Sequence, residues 1–97
     1  MGELVTEETD LRGNWVVQDD RSVVGDATEQ RIEWLTTQKL EHIANDSSGW
    51  EILYRDPRDG RLWELTFQRG EMHGGGPRRL RIISRDEAAV KYEHAAI

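Results

Sequence analysis

Residues 50–67 impose the strongest constraint on how this chain folds. Trp50, Ile52 and Tyr54 alternate with Glu51, Leu53 and Arg55, which is the two-residue period of a β-strand. Asp56-Pro57-Arg58-Asp59-Gly60 follows. Pro57 presets a turn dihedral and Gly60 tolerates positive φ. Leu62 to Phe67 then resumes the alternation and gathers Trp63, Leu65 and Phe67 on one side. Two strands, at about 50–55 and 61–67, joined by a tight turn predict a hairpin inside an antiparallel sheet.

The flanking segments supply partners for that hairpin. Leu11 to Gln18 reads as one strand, with Trp15 and Val17 alternating with Asn14, Val16 and Gln18. Asp19-Asp20-Arg21 is a polar turn, and Ser22 to Val24 a short return strand. Asp26 and Glu29 have the spacing of a capping box, and Ile32 and Leu35 follow at helical spacing. A helix from about Ala27 to Thr37 is expected. Residues 38–45 read two ways: Leu40 and Ile43 suit a helix, whereas Leu40, His42 and Ala44 alternate as in a strand. The weak helix formers Thr36 and Thr37 tip the balance towards a strand. Asp46 to Gly49 is a turn on either reading. Arg69 to Arg78 is a glycine-rich loop, Arg79 to Ile83 a strand, and Ser84 with Glu87 a second capping box opening a helix through Ala88, Ala89 and Tyr92. This order predicts an α+β class: one small domain over residues 1–97, its antiparallel sheet packed by one or two helices. Residues 1–9 are expected to form a flexible or loosely docked arm.

Composition narrows the function. Hydrophobic residues make up 36% of the chain and charged residues 33%, yet four Trp, two Tyr and one Phe are present. A disordered chain would lack those aromatics, so a folded domain with a heavily charged exterior is expected. There is no cysteine, hence no disulfide framework and no thiolate metal site. No apolar run approaches the roughly 20 residues of a membrane helix. Glu3, Glu7, Glu8 and Asp10 make the start of the chain unlike a signal peptide. A cytoplasmic protein without a membrane partner is the expectation. Met1-Gly2 with Thr6 and Asn45-Asp46-Ser47 match myristoylation and glycosylation patterns; both read as chance matches.

Charge is uneven. Residues 1–54 hold 12 acidic and 4 basic residues, net −8, whereas residues 55–97 hold 7 acidic and 9 basic, net +2. An acidic half disfavours nucleic acid, whose phosphates need clustered Lys and Arg, and favours a basic partner. The one basic cluster, Arg78, Arg79, Arg81 and Arg85, lacks interleaved aromatics, and strand alternation suggests solvent-facing arginines at 79 and 81.

Candidate chemistry is sparse, and no catalytic residue is assigned. His73-Gly74-Gly75-Gly76-Pro77 looks like an oxyanion loop, but the chain has no Gly-x-Ser-x-Gly nucleophile elbow. The glycines suit a tight backbone path or a nest for an anion, which leaves a small ligand- or anion-binding module as an alternative function. His42, His73 and His94 lack metal spacing, so no metal and no cofactor is expected. Glu51 and Glu64 sit on the hairpin; Glu64 beside Arg55 or Arg61 reads as a cross-strand ion pair. Of Trp15, Trp34, Trp50 and Trp63, at least two are expected in the core. Trp34, next to core-facing Leu35, is the candidate for a partly exposed anchor.

Several of these segments together resemble a known family. Gly49-Trp50-Glu51, Leu53-Tyr54-Arg55-Asp56-Pro57, Asp59-Gly60-Arg61, Trp63-Glu64-Leu65-Thr66 and the His73 to Pro77 loop, preceded by Gly13-Asn14-Trp15-Val16 and Arg31-Ile32-Glu33-Trp34-Leu35, are similar to the immunity protein 27 family over roughly residues 10 to 92. The resemblance implies a non-enzymatic antidote of a bacterial polymorphic toxin system. Its partner would be the C-terminal domain of a cognate toxin, and the acidic half points to a basic one such as a nuclease. Asp19, Asp20, Glu33, Trp34, Glu41 and Glu51 are the candidate partner-binding residues. Trp15, Trp50, Tyr54, Asp59, Gly60, Trp63, Glu64 and the His73 to Pro77 loop are read as structural residues of the family pattern. A monomer is favoured.

Overall fold

The computed structural model describes residues 2–68 and 77–95. In chain order these form β1 (Asp10–Arg12), β2 (Trp15–Val17), β3 (Val23–Gly25), α1 (Ala27–Trp34), a π-helical turn (Leu35–Lys39), β4 (Glu41–Asn45), β5 (Ile52–Arg55), β6 (Leu62–Phe67), β7 (Arg78–Ile83) and α2 (Arg85–Lys91). Five strands make an antiparallel sheet in the order β1-β7-β6-β5-β4, while β2 and β3 form a separate two-stranded ribbon. The class is α+β, as the residue pattern predicts.

The predicted hairpin lies at the middle of the sheet. Tyr54 faces Trp63 and Leu53 faces Glu64 across β5 and β6. Its turn closes through a Gly60 N–H to Asp56 carbonyl bond of 2.8 Å, with Gly60 at φ +77°. Alternation then divides the side chains between two layers. Tyr54, Trp63, Leu65 and Leu80 join Ile32 and Leu35 from α1 and the turn after it, together with Leu4 and Leu11. On the opposite face Leu53, Leu62, Ile83 and Ala44 pack with Ala88 and Tyr92 at α2.

Both helix starts follow their capping residues. Asp26 accepts from the Glu29 N–H at 2.8 Å, and Ser84 from the Glu87 N–H at 3.1 Å. The Glu29 side chain leaves the reciprocal half of the capping box unmade and turns to Arg78. At its other end α1 loosens. The Thr36 and Thr37 hydroxyls donate to the Ile32 and Glu33 carbonyls, at 2.9 and 2.7 Å, and the Leu40 N–H reaches back five residues to Leu35. Such side-chain bonds compete with the regular helical ladder. The chain then turns into β4, so the strand reading of this region holds, with a bulge between His42 and Ala44. The bulge breaks the simple alternation: His42 faces Tyr54, whereas Ala44 faces Leu53 on the other side of the sheet.

Three expectations need correction. Leu11 to Gln18 is not one strand. It breaks at Gly13-Asn14, where the Gly13 N–H bonds the Arg78 carbonyl and the Asn14 carbonyl accepts from Asp26, each at 2.8 Å. Trp50 lies just outside β5, edge-on to Phe67 and exposed. Of the tryptophans only Trp63 is fully buried; Trp34 packs against the core from its margin, and Trp15 and Trp50 are exposed.

Residues 2–9, suggested by the sequence to be a flexible or loosely docked arm, lie along the sheet. Leu4 enters the core at 2% exposure. Arg31 forks onto both oxygens of Glu8 at 2.6 Å and also donates to the Gly2 and Glu3 carbonyls. Arg61 donates to the carbonyls of Val5, Thr6 and Glu8, and Arg58 bonds the Leu4 carbonyl and the Glu3 carboxylate. The Arg31 guanidinium holds Glu8 well below the usual carboxylate range, at about 2, against the opposing effect of burial.

Candidate interaction surface

Among the described residues, the β2–β3 ribbon is the part least accounted for by the core. Val16 faces Val24 and Val17 faces Val23 across β2 and β3. Yet Trp15 is 41%, Val17 71% and Val23 61% exposed, and Val16 is exposed as well. Alternation places successive side chains on opposite faces, so apolar groups meet solvent on both. At the tip, the Gln18 N–H bonds the Ser22 carbonyl at 2.9 Å, and Arg21 takes a left-handed conformation at φ 67°. Asp20 accepts from the Ser22 hydroxyl at 2.6 Å and the Ser22 N–H at 3.0 Å, which lowers its pKa. The tip therefore carries fixed negative charge beside Asp19.

A buried carboxylate anchors the ribbon at its root. Glu29 accepts from the Arg78 backbone N–H at 3.0 Å and from Arg78 Nε at 2.6 Å. Gly13 and Gly25, where the chain enters and leaves the ribbon at its root, press against its side chain. A methyl group at Gly13 would overlap the Glu29 carboxylate, and one at Gly25 would come within 2.5 Å of its Cγ. Arg78 also bonds Glu33 at 2.7 Å. Burial pushes the Arg78 pKa down, but its bonds to Glu29 and Glu33 outweigh that and raise it. Trp15, Gly25, Glu29, Gln30, Glu33 and Arg78 line an open groove here.

The sequence-nominated partner-binding residues are dispersed. Asp19 and Asp20 occupy the ribbon tip, and Glu33 the groove at its root. Trp34 is half-buried, with the Lys39 ammonium 5.4 Å from its ring. Glu41 lies on β4 and pairs with Arg55 at 3.0 Å. Glu51 is paired with Lys91 at α2. Val16, Val17 and Val23 were missed as surface residues: the reading of Leu11 to Gln18 as one strand did not show that the break at Gly13-Asn14 separates the ribbon from the five-stranded sheet.

The other cluster of charge is sealed. Glu64 is 0% exposed and accepts from Lys91 Nζ at 2.7 Å, the Tyr92 hydroxyl at 2.8 Å and Arg81 Nη2 at 2.9 Å. Its partners are thus Arg81 and Lys91. Arg55 binds Glu41 instead, and Arg61 binds Asp59 at 2.7 Å while stacking over Trp63. Burial, followed by the bond to Glu64, pushes the Tyr92 hydroxyl far up. The arginines expected to face solvent at 79 and 81 are half-buried and bonded, Arg79 to Asp10 and Arg81 to Glu64. The arrangement ties β1, β6, β7 and α2 together and leaves the Glu64 carboxylate no surface to offer a substrate. Among the described residues there is no group of three or more His, Cys, Asp or Glu suited to a metal ion, and no helix is long and apolar enough to cross a membrane.

A family model described as Immunity protein 27 matches residues 18–84, more than half of the chain. The chain belongs to the immunity protein 27 family. No curated protein and no solved structure matches it. The match to immunity protein 27 takes in β3 through β7 and the Ser84 cap. Most of the residues that carry the resemblance fall inside it: Trp50 and Tyr54, the Asp59-Gly60 turn, and Trp63 with Glu64. Trp15 precedes the matched span. The glycine loop's His73, Gly74, Gly75 and Gly76 lie outside the described residues, and so does the anion-nest reading built on them. Pro77, at the loop's end, is buried, and its carbonyl accepts from the Gln68 N–H at 2.8 Å.

Proposed function

We propose that this chain is an antidote that binds and neutralises a cognate bacterial toxin without transforming a substrate. The carrying observation is its membership of the immunity protein 27 family. Two features support it. The buried charged groups of the sheet are engaged with one another as structural ties. The acidic residues 1–54 supply a surface able to draw in a basic partner, since complementary charge accelerates encounter. A basic toxin domain such as a nuclease fits that field. Neutralisation in the cytoplasm, where the toxin acts, needs only steric occupation of the toxin, held by a few well-packed anchors that slow dissociation.

Co-expression with the toxin domain encoded beside this chain tests the proposal. Cells carrying both should survive, and the two proteins should elute together on gel filtration. Continued killing with no complex formed would remove the antidote reading.

A further inference from the structure

We infer that the β2–β3 ribbon is the part of this protein that enters the toxin, its apolar sides filling a cleft and its acidic tip and root meeting basic residues around that cleft. The inference rests on the antidote reading above. Among the described residues, seven large hydrophobic side chains are exposed, and four of them, Trp15, Val16, Val17 and Val23, belong to this one short ribbon. They occur on both faces, so no single fold of the ribbon onto the sheet would cover them. A two-stranded ribbon is marginal by itself in water, and clustered exposed apolar groups mark interaction sites. This ribbon is nevertheless held firmly at its root: Gly13, Gly25, Glu29 and the Asn14 to Asp26 bond fix where it emerges. The result is an uncovered apolar projection anchored at its root.

Charge selects the occupant. Residues 14–34 carry five acidic and two basic residues, net −3. Asp19 and Asp20 stand at the tip, and exposed Glu33 stands at the root. Two copies of the ribbon laid together would oppose like charge, which is costly at an interface. A partner with an apolar cleft rimmed by Lys or Arg satisfies both features at once. That is the chemistry expected of a basic toxin domain.

The test uses the full chain and a catalytically inactivated form of the cognate toxin domain. Val17→Lys and Val23→Lys place a cation where the apolar contact would form, on side chains too exposed to matter to the core. Each should weaken binding at least about tenfold with unchanged circular dichroism and melting temperature. Asp19→Lys should slow association, and that effect should shrink at about 0.5 M salt, where surface charges are screened. Val90→Lys, on exposed α2, should stay within about twofold of the parent, as surface changes outside an interface do. Parent-like binding by both valine variants overturns the inference while leaving the antidote function intact. A parent chain that neither binds nor protects removes that function and the inference with it. A concentration-dependent dimer of the parent chain, abolished by Val17→Lys, would assign the ribbon to a second copy and overturn the toxin assignment.

Discussion

Tyr92 donates its hydroxyl hydrogen to Glu64 across 2.8 Å, and neither residue has any surface in contact with water. This bond joins α2 to the central strand of the sheet, and Lys91 and Arg81 complete the set of donors around the same carboxylate. A buried charge is tolerable only when so surrounded.

Glu64→Ala therefore removes the acceptor common to three donors. Breaking a buried pair by deleting one partner costs about 3–5 kcal/mol. Arg81 and Lys91 are each about one-third exposed and can rehydrate, so the expected cost is about 3 kcal/mol. At roughly 4–8 °C per kcal/mol for a domain of this size, the melting temperature should fall by more than about 10 °C. Thermal unfolding followed by circular dichroism measures it; a change under about 3 °C would mean that the network contributes little.

Gly13 and Gly60 should respond differently to alanine. At Gly60 the obstacle is conformational: its φ is +77° and nothing lies within 4 Å of an added methyl group. Left-handed backbone costs an L-residue about 1–2 kcal/mol. At Gly13 the obstacle is space, because the methyl group would overlap the Glu29 carboxylate and stand 3.0 Å from the Glu29 Cα. Forcing it in displaces α1 or breaks the Glu29–Arg78 bonds, at about 2–3 kcal/mol. Urea unfolding of both variants should rank Gly13→Ala as the more damaged, and the reverse order would contradict the packing at the ribbon root.

Acid should loosen the segment at residues 2–9 through Glu8. Its pKa is about 2 in the folded protein against an ordinary value of 4.5. A depressed folded-state pKa contributes stability that is fully present above the unfolded value and is lost as pH falls towards the folded one. The window is therefore about pH 4.5 down to about 2. Glu8→Gln should be less stable than the parent at pH 7, and the difference between the two should narrow across that window. Melting temperatures of both proteins from pH 7 to 2 test this; a gap that stays constant would exclude the Glu8–Arg31 pair as its source.

Leu4→Ala asks how much of the core depends on the same segment. Leu4 is 2% exposed among Leu11, Ile32, Leu35 and Tyr54. Truncating a buried leucine costs about 2–5 kcal/mol, most where the surroundings cannot collapse. This site lies at the margin of the core, on a segment held by arginines, so about 2–3 kcal/mol is expected. Denaturant unfolding supplies the measurement, and a loss below about 0.5 kcal/mol would indicate a loosely docked arm.

These residues also explain which parts of the molecule were legible in the sequence. The hairpin was readable because period-two alternation and the Asp56 to Gly60 turn are local signals that agree. Both helix starts were readable for the same reason, since Asp26 and Ser84 act within three residues. What local pattern does not contain is which distant groups meet. The partners of Glu64 lie 17 to 28 positions away along the chain, and nearer arginines at 55 and 61 competed for it on paper. Leu4 is one apolar residue in an acidic stretch, and its burial depends on Arg31, Arg58 and Arg61 capturing backbone carbonyls. Of the surface, Asp19 and Asp20 at the ribbon tip and Glu33 at its root were nominated from charge alone. The exposed valines were not, because alternation alone does not show that the break at Gly13-Asn14 carries the ribbon away from the five-stranded sheet.

The strand order has a consequence for synthesis. Among the described residues, β1, first of the strands in sequence, hydrogen-bonds to β7, the last of them. The Asp10 to Arg79 ion pair spans 69 positions of sequence. Until the ribosome releases residues 78–83, the opening strand has no neighbour, and Leu11 and Leu80 cannot cover each other. Pairings so far apart close slowly because a long loop must first be drawn together. A nascent chain halted before Arg78 would thus lack the strand that joins β1 to β6, so closure of the sheet waits on residues 78–83.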